Sequence, residues 1–152
     1  MDIQDAHATS GQHPDRQHPD RQPPDRQPPG RSAPGGPPAP GPHVRSYRIG
    51  GVSVVEIRGA VDVSTVAEIQ VHTDAASAAP GAQAIVDLRA VTFLDCATLG
   101  LLCRTRRRAL RRHGRLTVVC VRPWHLRILH IVGLARDFDP VPTIPDALGR
   151  EH

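Results

Sequence analysis

Aromatic side chains are scarce: Tyr47, Phe93, Trp124 and Phe138 are the only ones in 152 residues. A platform that stacks the bases of single-stranded nucleic acid needs several rings on one face, so that class of binding is disfavoured. Cysteine is nearly as rare. Cys96, Cys103 and Cys120 are odd in number and lack Cys-x-x-Cys spacing, which argues against a disulfide framework and for reduced thiols. No run approaches 18 consecutive apolar residues, and the opening MDIQDAHATS is polar and acidic. Neither a membrane span nor a secretion signal is expected, and a cytoplasmic location is the expectation that follows. Lysine is absent, so every basic side chain other than histidine is an arginine.

Proline, by contrast, is abundant and concentrated at one end. GQHPDRQHPDRQPPDRQPPG cycles with a five-residue period, and RSAPGGPPAPGP follows without an apolar side chain larger than alanine or proline. Such a segment buries too little surface to offset chain entropy, so residues 1–43 are expected to be a disordered tail of polyproline character. A spacer is its plain reading; a ligand for a proline-recognising partner is the sharper one. The 109 residues from Val44 onward suffice for one core. There, 15 arginines face 10 Asp plus Glu, a net of +5, which would attract an acidic partner or nucleic acid.

Along this part, HVRSYRIGGVSVVEIRG reads as two strands joined at Gly50-Gly51, a hairpin signal. After Gly59 the pattern turns helical, with Thr65 and Glu68 spaced as a capping box. Ala84 to Leu88, AIVDL, is a short apolar run of the kind buried on both faces of a sheet. A second helix is predicted from Cys96 to Arg112, capped by Asp95 and closed at His113-Gly114. Its apolar side carries Leu99, Leu102, Cys103, Ala109 and Leu110, while Leu101 falls among Arg104, Arg107, Arg108 and Arg111. Arg115 to Cys120 is another strand. Pro123 opens a third helix with Trp124, Ile128, Ile131 and Val132 on a shared face, stopped by Gly133, and a short last strand and helical turn follow. The expected class is α/β, a mixed and mostly parallel sheet that opens with an antiparallel hairpin and is covered by helices.

The order hairpin, RGAVDVST, helix, AIVDLRAVTFLDCATLGLL, basic helix, RLTVVC, helix, VGL closely resembles the STAS domain of anti-sigma factor antagonists and of sulfate-transporter tails, over residues 44–150. Members commonly show an apolar strand ending in Asp-Leu, then a Phe, then Asp-Ser-Ser/Thr-Gly-Leu at a helix start. Here those positions read Asp87-Leu88, Phe93, and Asp95-Cys96-Ala97-Thr98-Leu99. The resemblance implies a non-enzymatic switch in which a kinase-type anti-sigma factor phosphorylates the serine, and only the unmodified form binds that partner and releases the sigma factor. Cys96 stands at the acceptor position, Ala97 at the next hydroxyl, and Thr98 at the usual glycine, where it is a possible displaced acceptor. Asp62 aligns with an acidic residue near the acceptor. The implied partner-binding set is Asp62, Asp95, Cys96, Ala97, Thr98, Leu101, Arg104 and Arg108, with an anti-sigma factor or serine-kinase-type regulator as partner and no direct nucleic acid, membrane, metal or cofactor.

Each of these residues also has a plainer role. Cys96 at a helix N-terminus could be a reactive thiol, which makes a small-molecule or redox sensor the alternative function, yet Asp95 opposes thiolate formation and no resolving cysteine adjoins it. The histidine and cysteine spacings do not match structural zinc sites. Arginine runs are usually solvated faces, and no motif for insertion into a nucleic-acid groove is present. Asp62, Ser64 and Thr65 can serve as helix caps.

Overall fold

The computed structural model describes residues 36–150. The pentapeptide repeat and most of the expected 1–43 tail therefore lie outside the described residues. In chain order the elements are β1 (Val44–Ile49), β2 (Val52–Val61), α1 (Val66–Ala76), β3 (Gln83–Leu94), α2 (Cys96–Arg111), β4 (Arg115–Val119), α3 (Pro123–Ile131), α4 (Ala135–Phe138) and α5 (Ile144–Leu148). The strands form one sheet in the order β1-β2-β3-β4, antiparallel at the first pair and parallel thereafter. Connection length decides this. Two residues can only reverse a strand, whereas the helical links between β2, β3 and β4 are long enough to return the chain to the same end of the sheet. Gly50 takes a φ of 60° at the hairpin tip, the left-handed conformation that a Cβ would penalise.

Alternation along each strand splits the core in two. Val55 and Ile57, with Ala84, Val86 and Leu88 and then Leu116 and Val118, pack beneath Ile69 of α1, Leu99 and Leu102 of α2 and Leu129 of α3. The interleaved Val52, Val54, Ile85 and Val119 face the other way, against Val141, Ile144 and Ala147. AIVDL is thus buried on both faces, as its unbroken apolar run predicts. Asp87, also buried, is the one charge in that run. Arg89 closes on it in a fork, Nε to Oδ1 at 3.0 Å and Nη2 to Oδ2 at 2.9 Å, and the Arg89 amide also donates to Oδ1, so the carboxylate is neutralised and hydrogen-bonded where it sits.

Four local expectations need correction. The strand that starts AIVDL does not stop at Leu88 but runs to Leu94, because β2 keeps pairing with it through two register shifts, between Glu56 and Arg58 and between Gly59 and Ala60. Likewise β2 extends to Val61, so the first helix starts at Val66 rather than just after Gly59. The capping box does not form: Thr65 gives its hydroxyl to the Asp62 carbonyl, and Glu68 is drawn to His43. Of the shared face of α3 only Ile128 packs against the core. His125 and Leu129 are its buried residues, whereas Trp124 is 63% exposed and Ile131 68%.

Two buried histidines make stability depend on pH. His72 shares a 2.5 Å hydrogen bond with the Ser46 hydroxyl, and His125 Nδ1 has no hydrogen-bond partner. Burial pushes both imidazoles below the ordinary histidine value, and the nearby Arg122 guanidinium adds to the effect at His125. A histidine lowered in the folded state stays neutral there while the unfolded chain takes up a proton. Its contribution is therefore complete above the ordinary value of about 6.5 and is lost as pH falls from there through the lowered value. Thermal melts are expected to drop by several degrees between pH 7.5 and pH 5.5, and His125→Phe is expected to shrink that drop.

Candidate functional site

Strand pairing brings the two acidic loops together. Val61 pairs with Leu94 at the end of the β2/β3 ladder, so Asp62 and Asp95, the next residue in each chain, leave the sheet side by side. Asp62 is exposed. Its Oδ1 accepts from the Ser64 hydroxyl at 2.6 Å and the Ser64 amide at 2.9 Å, and these bonds, the hydroxyl foremost, hold its carboxyl below the ordinary carboxylate range. Asp62 therefore shapes its own turn and does not cap α1.

Asp95 is the N-cap of α2, as its place before the helical pattern predicts. Its backbone is extended and its Oδ1 accepts from the Thr98 amide at 3.0 Å and the Thr98 hydroxyl at 3.1 Å. A carboxylate at this end and Arg108 and Arg111 in the last turn both favour the helix dipole. Cys96, first residue of the helix, is exposed, and Ala97 is half-buried.

Two members of the expected set lie inside. Thr98 has no exposed surface and its hydroxyl is committed to Asp95, so in the folded state it presents nothing to a partner or to a kinase. Leu101 is 2% exposed and belongs to the main core. The helical wheel placed it among arginines, but α2 is covered by both α1 and the sheet and so buries a wider arc, which includes Thr98, Leu101 and Thr105 and leaves Leu110 outside. Arg108 is partly spent on an ion pair with Asp74 of α1. Arg104 is exposed and its Nη1 lies 3.4 Å from where a side chain on Gly100 would begin. Residues 96, 100 and 104 follow one row of the helix, so this guanidinium folds back to within a turn of Cys96.

Residues outside the expected set complete the surface. Val63 after β2 is 75% exposed, Phe93 at the end of β3 55%, and Val121 and Trp124 follow β4 in the same exposed state. All sit where parallel strands end, the part of an α/β sheet whose loops commonly carry function. An apolar residue at or just beyond the end of each parallel strand was the available sequence signal. Among the described residues no three His, Cys, Asp or Glu side chains gather as metal ligands, and no helix is long and apolar enough to cross a membrane. This end of the sheet thus carries exposed apolar side chains together with two carboxylates, a thiol and the Arg104 guanidinium.

Known proteins share this fold. The STAS domain family profile matches residues 43–147. A crystal structure of an anti-sigma factor antagonist from Mycobacterium paratuberculosis superposes with a TM-score of 0.64 at 30% identity, covering 73% of this chain and 97% of that one. The phosphorylated form of the Bacillus cell fate determinant SpoIIAA gives a TM-score of 0.56 at 20% identity, covering 70% and 97%. The murine anion transporter Slc26a9 gives 0.57 at 18% identity, covering 68% of this chain and 18% of that one. No curated protein sequence matches the chain.

The cap can be tested directly. Asp95→Ala is expected to cost about 1–2 kcal/mol in urea unfolding, while Asp95→Asn, which keeps an acceptor, costs only a few tenths.

Proposed function

This chain belongs to the STAS domain family, and on that premise we propose that it is an anti-sigma factor antagonist of non-enzymatic type, binding a kinase-type anti-sigma factor in the cytoplasm through the exits of β2 and β3. The observation that carries the reading is the exposed Cys96 at the first turn of α2, between two acidic loops. At the position where the family places its phosphoacceptor serine, this chain holds a side chain of similar size that a serine kinase cannot modify. Binding is therefore constitutive with respect to phosphorylation there, and Thr98, buried under Asp95, does not substitute.

Charge explains how the ordinary switch would act and why its loss matters. A phosphate adds about −1.5 to −2 charges, and two unit charges about 4 Å apart near a surface interact by roughly 4 kcal/mol at an effective dielectric of about 20. Asp62 and Asp95 already make this loop acidic, so a further anion at residue 96 adds repulsion toward any acidic group on the partner. Arg104, lying back over Gly100, supports docking of an acidic partner; Arg108 contributes less, because Asp74 holds it.

A thiol-based sensor on the same fold draws support from the exposure of Cys96 alone. The other two cysteines do not help it: desolvation pushes the thiols of Cys103 and Cys120 upward, away from the thiolate a resolving partner needs.

Co-purification from the native cell, repeated with variants at residue 96, tests the proposal. Cys96→Ser is expected to retain the partner and to become phosphorylated by it when ATP is supplied, while Cys96→Asp lowers capture at least tenfold. Stoichiometric phosphate on Thr98 of the unaltered chain, or equal capture by Cys96→Asp, would overturn it.

A further inference from the structure

Between Asp95 and Asp137 the chain carries ten arginines and no Asp or Glu, the longest stretch of the domain without a negative charge. It covers α2, β4 and α3. Before it, arginines have carboxylates beside them: Glu56 takes Arg45 and Arg58, and Asp87 takes Arg89. Within it Arg108 reaches Asp74, but Arg104, Arg107, Arg111 and Arg127 stand exposed, with no ion pair among the described residues. On α3, Trp124, Arg127 and Ile131 are spaced three and four apart and so share one side. All three are exposed, while His125 and Leu129 take the buried side. Val121 just before the helix and Val132 just after it are exposed as well. Leu102 of α2 and Leu129 of α3 enter the same core, so both helices lie on one face of the sheet and the sides they turn from it open on the same side of the domain.

We propose that this side of the domain docks on an anionic lipid surface, with α3 lying in the plane of the headgroups and Trp124 and Ile131 reaching into the acyl boundary. The combination of apolar and unpaired cationic side chains carries the choice. A helix with aromatic and aliphatic residues beside arginine is suited to the membrane interface, where an indole ring settles at headgroup level. Arg127, between Trp124 and Ile131, can lay its stem along them and keep its guanidinium among the phosphates. The exposed arginines of α2 add attraction that acts within a Debye length of the surface. Other occupants use only half of this chemistry. A nucleic-acid strand would engage the arginines but gain nothing from Ile131 or Val132, and one indole is no stacking platform. A second copy would set arginine against arginine. A peptide docks in a groove, whereas the outer side of α3 is the convex back of a helix.

Trp124 is the only tryptophan of the chain, so its emission reports this face directly. The full chain would be floated with vesicles of phosphatidylcholine, with and without about 30% phosphatidylglycerol. The anionic vesicles are expected to carry about tenfold more protein than the neutral ones, with Trp124 emission shifted to the blue and quenched by brominated acyl chains, and raised salt is expected to reduce both effects. Ile131→Ser and Arg127→Glu, both at exposed positions, are each expected to lower flotation about tenfold while thermal melts stay unchanged. Absence of flotation, equal flotation on both kinds of vesicle, or flotation with Trp124 emission unmoved would overturn the proposal, as would full binding by both variants. A blue shift that grows with protein concentration without lipid would assign the face to a second copy. Displacement from vesicles by a single-stranded oligonucleotide that quenches Trp124 would assign it to nucleic acid, and either result overturns the proposal.

Discussion

The pairing of β2 with β3 is the constraint on which the rest depends. These two strands carry the heart of both cores, and their register decides which residues leave the sheet together. The ten residues of β2 lie against twelve of β3, and the difference is taken up in the two register shifts. A slip of one residue turns a strand's side chains over. Two such slips do it twice: Leu88, then Val91, then Leu94 all enter the main core although their spacing is three. Leu94 inside requires Phe93 outside, and it delivers Asp95 to the start of α2 facing the exit of β2.

That double slip also explains where the sequence was hard to read. Periodicity finds AIVDL easily because every residue in it is buried, but at Arg89-Ala90 the alternation breaks and the pattern of a strand is lost. Its second half is specified by the partner strand, not by its own pattern. The hairpin, Asp95 as a cap, the span of α2 and the α/β class were all legible, because each rests on local chemistry: glycine at positive φ, a short acceptor before a helix, a basic run at helical period. The family signature around residue 96 was legible for the same reason.

What failed was orientation, which depends on neighbours. Leu101 sits among arginines on a wheel, yet α1 and the sheet together enclose more of α2 than one stripe, and the residue is interior. In α3 the wheel found Trp124, Ile128, Ile131 and Val132 on one side; the core took His125 and Leu129, Ile128 packs against it, and Trp124 and Ile131 were left to solvent. A helix that lies near the edge of its layer can keep an apolar side outward at little cost to the fold, and nothing within nine residues of sequence says which side that is. Glu68 is a third case, where the spacing fits a cap but His43, 25 residues earlier, is the actual partner.

Parallel strands give a domain two unlike poles. Here the acidic loops occupy one, while Gly36 lies toward the other, in a cavity it lines together with Arg48 and Ser53 near the β1–β2 turn. The described chain therefore enters the domain at the pole remote from Cys96. The fold thus separates tether from contact by the full length of its central strands, and a single chain can be held at one end while it is read at the other.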